Sequence, residues 1–297
     1  MIINSIHIKK FRGFEDVGFE LGKNITVIAG QNGTQKTTVL GLLSQPFTIS
    51  EKSNPMYGEK PLSGGSFRSG FSEMFKLSNK FDQPKSHEWT LKLNDKEISE
   101  YTAESIKRSD SDTIRFWKKG DRSKGSGYLQ YPVIYLSLRR LFPIGEDKGI
   151  DESESLGLTQ EEKIFYQKWH DDILIITNEE GTEVSYLESK EKNTLGINTA
   201  VYDWRMISAG QDNIGKILLA ILSFKRLKEK HKSSYKGGIL TIDEIDATLY
   251  PASQLRLLKA LRKFASIYNI QVIFTTHSLT ILEKAFELQE NKRIKNQ

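Results

Sequence analysis

The sequence of 297 residues contains no cysteine, which excludes disulfide bonds and cysteine-ligated metal centres. It also lacks a run of the roughly 18 consecutive apolar residues that a membrane-spanning helix needs. Its N-terminus has no apolar core of the kind found in signal peptides. No internal repeat, low-complexity tract or sustained heptad pattern is present, so a long coiled-coil arm is not expected. These absences favour a cytoplasmic protein that does not bind a membrane.

The charge balance excludes little. The chain carries 43 basic and 38 acidic residues, a formal net charge of +5. An excess of this size is compatible with nucleic-acid binding but does not by itself predict it, because most such charges are solvated surface groups.

Apolar patterning divides the chain into three parts. Residues 1–48 read as three strands, a loop and a helix that begins near Lys36. Residues 205–285 alternate helix and strand, and the two strands (Gly238–Ile242 and Val272–Thr276) are continuous apolar runs typical of a buried parallel sheet.

The middle part, 49–204, is rich in Ser, Gly, Lys and Asp. A helix is predicted to begin near Thr159, because Thr159 and Glu162 have the spacing of a capping box. The loop-like stretches are Lys60–Gly70 and Lys107–Gly127, and the strand candidates are Trp89–Leu93 and Val133–Leu138.

The segment Gly30–Thr38 has the pattern of a phosphate-binding loop (P-loop), since it follows an apolar strand and opens a helix. Backbone N–H groups at such a turn attract phosphates, and Lys36 can reach the β- and γ-phosphates of a nucleotide. Thr37 offers a hydroxyl oxygen for Mg²⁺. Gln35 departs from the pattern, because glycine normally precedes the lysine. A left-handed backbone is costly there for any other residue, and the glutamine side chain must point away from the nucleotide.

Two carboxylates follow the buried strand Gly238–Ile242, and a histidine follows the buried strand Val272–Thr276. Asp243 is placed to hold Mg²⁺ and Glu244 to polarise an attacking water, while His277 can contact a γ-phosphate at the same sheet edge. At the end of the first strand, Arg12 is either a phosphate ligand or an ordinary surface arginine.

The segment Ile207–Gln211, with the sequence Ile-Ser-Ala-Gly-Gln, decides between P-loop classes. It lies about thirty residues before the acidic strand and opens a long amphipathic helix. Ser208 could be an ordinary helix cap. The segment also resembles the signature motif of ABC-type ATPases, with Ala209 in place of the commoner glycine. We refer to Ile207–Gln211 as the signature segment.

Over residues 1–48 and 205–285 the chain resembles the ABC/SMC-related ATPases grouped with RecF, the OLD-type nucleases and the ATPases of bacterial anti-phage systems, including Septu and retron-associated ones. The resemblance implies an α/β fold in which 1–48 and 205–297 form one ABC/SMC-type P-loop domain and 49–204 forms a mixed α/β insertion. It further implies an ATPase with ATP and Mg²⁺ as cofactors, and a homodimer or higher oligomer with ATP between subunits.

The resemblance also assigns roles to residues. The implied roles are nucleotide binding for Arg12, Asn32, Gly33, Gln35, Lys36, Thr37 and Thr38, metal binding for Thr37 and Asp243, catalysis for Glu244 and His277, and contact with the nucleotide of the opposite subunit for Ser208, Gly210, Gln211 and Asp246. The family's Q-loop residue is not placed. The most motif-like segment is Tyr135–Arg140, in which Arg139 or Arg140 is either a charge-stabilising contact or a surface ion-pair residue.

Three functional hypotheses remain open. The first is an ATP-driven dimer that gates a nuclease or toxin in phage defence or DNA repair, with DNA as a further partner. Only 20 residues follow His277, ending in a charged tail over 290–297, so the effector is expected to act in trans. The second is a DNA clamp with very slow ATP turnover, and the third is a transporter ATPase subunit.

Overall fold

The computed structural model describes residues 2–68, 70, 74–108, 113–123, 126–147, 149–152, 157–177, 183–189 and 192–294. The strands are β1 (Ile3–Phe11), β2 (Phe14–Glu20), β3 (Ile25–Ala29), β4 (Glu88–Leu93), β5 (Glu100–Lys107), β6 (Ile114–Lys118), β7 (Val133–Leu136), β8 (Asp151–Glu152), β9 (Glu183–Glu188), β10 (Asn193–Asn198), β11 (Gly238–Ile242) and β12 (Ile270–Thr276). The α-helices are α1 (Lys36–Ser44), α2 (Gln160–Leu174), α3 (Ala209–His231), α4 (Pro251–Tyr268) and α5 (Leu279–Ile294).

A four-stranded parallel sheet in the order β3-β12-β11-β7 forms the centre of the molecule. Every residue of β11 and β12 is buried. Leu240 and Val272 pack into one hydrophobic core, whereas Ile239 and Ile273 pack into a second. Because helices or a second sheet cover both faces, these strands read as continuous apolar runs. All four strands end at the same edge, which brings together the residues that follow them.

A five-stranded antiparallel sheet in the order β2-β1-β4-β5-β6 packs with α1 on one side of the parallel sheet. Its core contains an aromatic cluster in which the rings of Phe75, Trp89 and Phe116 lie 5.4–5.8 Å from the ring of Phe11. The buried amide of Gln271 in β12 bonds to both the N–H and the C=O of Ile3, each at 2.9 Å. This amide therefore ties the first strand to the parallel sheet.

The sheets extend well into the segment predicted to be an insertion. β4, β5 and β6 continue the sheet begun by β1, and β7 lies beside β11 in the parallel sheet. In sheet pairing, residues 88–136 thus belong with both predicted halves of the core. Among the described residues of the middle part, only the small sheet β10-β9-β8 is formed entirely from the predicted insertion.

The prediction that Lys107–Gly127 is loop-like is wrong for its central portion, which forms β6. Ile114 and Phe116 are buried and Arg115 between them is exposed, the alternation of a half-buried strand. The Ser-, Asp- and Lys-rich flanks obscure this short pattern in the sequence. By contrast, the predicted strand at Trp89–Leu93 is confirmed within β4. The predicted strand at Val133–Leu138 is confirmed as far as Leu136, where β7 ends before a 3-10 turn that begins at Leu138.

The helices cover the second face of the parallel sheet, with α3 at the centre of the larger hydrophobic core. The predicted capping box of α2 is present, since Glu162 N–H bonds to Thr159 Oγ1 and Thr159 N–H to the Glu162 carboxylate. Most of the charged tail lies in α5, whereas 295–297 lie outside the described residues. Among the helices that the structure describes, none has the length and apolar character needed to cross a bilayer.

Candidate nucleotide-binding site

The P-loop connects β3 to α1 at the carboxyl edge of the parallel sheet. Gly33 and Gln35 both adopt left-handed backbone conformations, with φ of 81° and 64°. No side chain of the described residues caps the N-terminus of α1, and its first turn contains no acidic residue. The free N–H groups and the helix dipole therefore remain available to an anion. Asn32 and Gly33 are exposed in this loop, whereas Thr38 is buried in α1.

Lys36 is folded back over the loop. Its ammonium group donates to the carbonyls of Gly30 at 2.9 Å and Gln31 at 2.8 Å, and only 9% of the residue is exposed. The lysine is thus held inside the concavity that the sequence pattern assigns to phosphates.

Thr37 and Asp243, predicted to share a metal ion, are in direct contact. The hydroxyl of Thr37 donates to Asp243 Oδ2 at 2.8 Å, although 206 positions separate the residues in sequence. The other carboxylate oxygen accepts a 2.7 Å bond from the hydroxyl of Thr275, at the end of β12. The P-loop helix and the two central strands therefore meet at one buried carboxylate.

Glu244 and His277 face each other beside this carboxylate. The distance between His277 Nε2 and Glu244 Oε1 is 3.7 Å, and both side chains are about one-third exposed. The site thus places an acid and an imidazole together at an edge that solvent and substrate can reach.

Asp246 has partners within its own chain. Its Oδ1 accepts a 2.6 Å bond from the Thr276 hydroxyl and a 3.3 Å bond from the His277 N–H. In this arrangement Asp246 fixes the segment that carries His277. Its contact with the nucleotide of an opposite subunit stays a prediction.

The signature segment opens α3 with a complete capping box. Ser208 N–H donates to Gln211 Oε1 at 2.8 Å, and Gln211 N–H donates to Ser208 Oγ at 3.3 Å. Ser208 itself is exposed. A Cβ atom on Gly210 would lie 2.8 Å from the carbonyl oxygen of Thr248, so glycine allows α3 to approach the loop after β11. Both readings of Ser208, as cap and as exposed anion contact, are compatible with this geometry.

Arg12 does not point into free space at the P-loop. Its Nη2 donates to the carbonyl of Lys76 at 2.8 Å and lies 3.3 Å from Asp82 Oδ2. Asp82 also bonds to His87 Nε2 at 3.0 Å, and both side chains are 2% exposed. Burial alone would raise the pKa of Asp82, but the Ser78 N–H and Arg12 together lower it below its ordinary value. To bind a phosphate, Arg12 would have to exchange this carboxylate for it.

Gln35 takes the costly backbone conformation and directs its side chain away from the concavity, against Gly13. A side chain at position 13 would collide with Gln35 Nε2. The turn after β1 therefore packs on the P-loop through the one residue that departs from the pattern.

The two arginines after β7 differ sharply in environment. Arg139 is exposed, whereas Arg140 is 3% exposed and donates to the carbonyl of Glu244 at 2.8 Å. Since β7 neighbours β11, Ser137 follows the strand at the same sheet edge, within the motif-like segment Tyr135–Arg140. No glutamine occupies this position in the sequence.

Sequence reasoning missed three residues that shape the site: Asp82, Asn213 and Thr275. The signal for Asn213 was its position on the otherwise apolar face of α3, where it is fully buried. Pairing the two buried strands β11 and β12 would have placed Thr275, near the end of β12, beside Asp243. Nothing local marks Asp82, because its partner Arg12 is 70 positions away.

Comparison with known proteins agrees with this geometry. The sequence profile of the AAA ATPase domain family matches residues 1–201 and 165–282. The Smc head domain from Pyrococcus furiosus, solved with an extended coiled coil and bound to the C-terminal domain of ScpA, is similar over 98% of this chain and 99% of that chain, with a TM-score of 0.56 and 12% identity. An SmcHead bound to the C-winged helix domain of ScpA is similar over 95% and 91%, with a TM-score of 0.54 and 14% identity.

A third solved structure, the recombination mediator RecF with ATP, is similar over 93% of this chain and 92% of that chain, with a TM-score of 0.46 and 16% identity. Comparison with curated protein sequences finds no match. The family profile spans nearly the whole chain, and the fold is that of Smc heads. The chain therefore belongs to the AAA ATPase domain family and is an ATP-binding and ATP-hydrolysing enzyme with an ABC/SMC-type P-loop fold.

Proposed function

We propose that this ATPase is a nucleotide-driven dimer, in which each ATP lies between the P-loop of one subunit and the signature segment of the other, and that the dimer gates a partner effector. The observation that carries the proposal is the direct bond between Thr37 and Asp243. It joins the P-loop to the acidic pair at one sheet edge, while Ser208 of the signature segment is exposed to contact from outside the subunit.

In this proposal the phosphates lie on the N-terminus of α1. Lys36 transfers its ammonium hydrogen bonds from the Gly30 and Gln31 carbonyls to the β- and γ-phosphates. Asn32, Gly33 and Gln35 supply backbone N–H groups of the loop, and Thr38 continues the first turn of the helix.

Hard oxygen donors suit Mg²⁺, and the Thr37 hydroxyl and Asp243 carboxylate already lie within hydrogen-bond distance of each other. These two residues would hold the ion together with the nucleotide. When bound, Mg²⁺ neutralises charge on the transferred phosphoryl group. The pairing fits the ion because the second Asp243 oxygen is kept in place by Thr275.

Hydrolysis is assigned to the two groups beside that carboxylate. Glu244 accepts a hydrogen bond from the attacking water and orients it, and His277 contacts the γ-phosphate. Their 3.7 Å separation supports a shared task at one point of the edge.

The second subunit is expected to complete each site. Ser208 and the N–H groups of Gly210 and Gln211 form an anion site at the N-terminus of α3. Large apolar side chains are exposed shortly before Ser208 in the sequence, with Val201 at 81% and Met206 at 71%. Tyr250, at 75%, follows Leu249, whose side chain lies beside Gly210. Such exposure supports an interface at this surface.

A protein effector, with a nuclease or toxin as the expected class, is the further part of the proposal. Its biological setting is phage defence or DNA repair. Support comes from the sequence resemblance to defence ATPases and from Smc heads, which were solved bound to domains of a second protein, ScpA. DNA is a further expected partner.

The dimer is tested by measuring molecular mass in solution with the Glu244→Gln variant, which should bind ATP and hydrolyse it at least about a hundredfold more slowly. With ATP and Mg²⁺ the mass should double, and without nucleotide it should not. Adding Ser208→Arg should abolish the doubling and leave ATP binding by the monomer within about twofold.

Ser233→Arg is the matched control, because it places the same side chain at an exposed position beyond the other end of α3. It should leave the doubling intact. A Ser208→Arg protein that still dimerises with ATP would refute the contact between subunits. Equal turnover by wild type and Glu244→Gln would refute the role of Glu244.

The effector is tested by identifying proteins that co-purify with the tagged Glu244→Gln variant in ATP. A nuclease or toxin retained with ATP and lost on adding Ser208→Arg supports gating. An ATP-dependent dimer that retains no such protein, and whose turnover rises with DNA, would instead favour the DNA clamp.

A further inference from the structure

A buried arginine links the catalytic edge to the signature segment. Arg140 lies in a short 3-10 turn (Leu138–Leu141) directly after β7. Its guanidinium donates from Nε to Asn213 Oδ1 at 2.9 Å, from Nη1 to the Ser137 carbonyl at 3.0 Å, and from Nη2 to the Glu244 carbonyl at 2.8 Å. One planar guanidinium group thus joins the end of β7, the second turn of α3 and Glu244, the second residue after β11.

The bond to Glu244 matters because of that residue's backbone. Glu244 has a φ of 48°, in the left-handed region that is unfavourable for a residue with a Cβ atom. Such conformations persist only where the surroundings fix them on several sides. Here the N–H of Glu244 donates to Thr275 Oγ1 at 2.7 Å, and its carbonyl accepts from Arg140. The same carbonyl also accepts from the Ala247 N–H at 3.2 Å. Arg140 is therefore one of three groups that hold the backbone of the candidate catalytic glutamate.

The bond to Asn213 connects Arg140 to α3, the helix that the signature segment opens. Asn213 is fully buried and uses both ends of its amide, since its Nδ2 donates to the Ala247 carbonyl at 3.0 Å. It is the fifth residue of α3. Gly210, at the start of the same helix, packs on the Thr248 carbonyl. A shift of this helix end is thus felt by the loop that follows Glu244.

The guanidinium keeps its charge in this environment. Burial lowers the pKa of Arg140 to about 10, and the negative charge of Asp243 is foremost among the neighbours that oppose this. It therefore remains protonated at neutral pH, and its bonds to Asn213 and Glu244 are charge-assisted.

We propose that Arg140 is a positioning residue that fixes Glu244 and, through Asn213, couples each hydrolytic site to the signature segment that acts on the other. The coupling rests on the proposed ATP-bridged dimer, because only there does the signature segment touch the nucleotide of the opposite subunit. ATP bound at one site then sets the position of the glutamate at the other, which makes hydrolysis cooperative in ATP concentration.

The test compares Arg140→Lys with Arg139→Lys, the same exchange at the exposed neighbour. Lysine keeps the charge but has no planar fork to reach both Asn213 and Glu244. For Arg140→Lys we expect kcat to fall about tenfold to a hundredfold, because small misplacements of catalytic groups have effects of that size. The Kd for ATP should stay within about twofold, and Arg139→Lys should behave as wild type. Thermal unfolding curves of all variants show the temperatures at which each one is folded, and the kinetics are measured at a temperature within that range.

Asn213→Asp tests the link through α3 separately. The carboxylate still accepts from Arg140, but it replaces the donor to the Ala247 carbonyl with a second acceptor. The Hill coefficient for ATP should fall toward 1 with the ATP Kd unchanged. An unaltered kcat in folded Arg140→Lys, or an unaltered Hill coefficient in Asn213→Asp, would overturn the proposal.

The failure of this inference differs from that of the proposed function. If Glu244→Gln does not double in mass with ATP, the dimer fails and the coupling between sites fails with it. If the mass doubles and the Arg140 and Asn213 variants retain wild-type kinetics, only the coupling is overturned.

Discussion

The P-loop edge and the signature segment, the two halves of the proposed nucleotide site, differ in how their polar groups are hydrogen-bonded when no ligand is bound. At the P-loop edge three polar side chains already have partners within the chain: Lys36 bonds to two carbonyls, Thr37 to Asp243, and Arg12 to Asp82. The signature segment is fixed by its own capping box, but it leaves Ser208 exposed.

The difference shows what each half must do when nucleotide arrives. The P-loop edge exchanges hydrogen bonds within the chain for hydrogen bonds to phosphate. Its net binding free energy is therefore the difference between two sets of charge-assisted hydrogen bonds. The signature segment exchanges at most the 3.3 Å bond from the Gln211 N–H to Ser208 Oγ for a phosphate presented from outside. Binding to one subunit and closure onto the second are therefore separable, and substitutions should separate them.

The largest effect is expected from Lys36→Ala, which removes the P-loop cation. ATP affinity should fall by about a hundredfold, since bonds from a charged donor each contribute about 1.5–3 kcal/mol. Equilibrium titration with a fluorescent ATP analogue measures this. Lys23→Ala, an exposed lysine just before β3, is the control and should bind as wild type. Normal affinity in Lys36→Ala would place the nucleotide elsewhere.

The next effect is expected from Gly210→Ala, which affects the signature half alone. The added methyl would lie 2.8 Å from the Thr248 carbonyl oxygen, and relieving such overpacking costs about 1–3 kcal/mol. The free energy of unfolding, from urea denaturation, should fall by that amount, and turnover should fall further than ATP affinity. An equal loss of affinity would mean that the two halves are not separable.

A smaller effect is expected from Gln35→Val, which tests the left-handed P-loop residue. A β-branched residue tolerates a φ of 64° poorly, at a cost of about 1–2 kcal/mol, so ATP affinity should fall about tenfold. Gln35→Asn is the control, since asparagine adopts this conformation readily, and its affinity should stay within about threefold of wild type. If both variants bind ATP equally well, the backbone conformation at this position does not govern phosphate binding.

The smallest effect concerns pH and the partner of Arg12. Folding lowers the pKa of Asp82 below its ordinary value of 3.8, because the Ser78 N–H and Arg12 outweigh the effect of burial. The unfolded chain therefore binds the proton more readily. The resulting stabilisation is present above the unfolded pKa and is lost as pH falls through the folded one. Urea midpoints of wild type should decline over this acidic range more steeply than those of Asp82→Asn. Parallel pH profiles would contradict the assigned shift.

The sequence predicted the elements whose signals are local and strong. The P-loop strand and helix, the capped starts of α2 and α3, and the two buried strands before Asp243 and His277 all have clear periodicity or capping residues. Parallel strands in one sheet end at one edge, so the meeting of Thr37 with Asp243 also followed from sequence.

What the sequence could not supply were pairings between distant segments. β6 is short and lies between polar flanks, and β7 joins the parallel sheet from within the predicted insertion. Arginine is usually a surface residue, and only the fold shows that the guanidinium of Arg140 is buried. Whether Arg12 can reach a phosphate likewise depends on Asp82, which no local motif marks.

The strand order of the parallel sheet has a consequence for biosynthesis. β12 lies between β3 and β11, yet it is the last of the four strands to leave the ribosome. Until β12 emerges, the strand before the P-loop and the strand before the acidic pair have no shared neighbour. A nucleotide site that needs both strands therefore assembles only after β12 emerges, through a contact between segments about 245 residues apart in sequence.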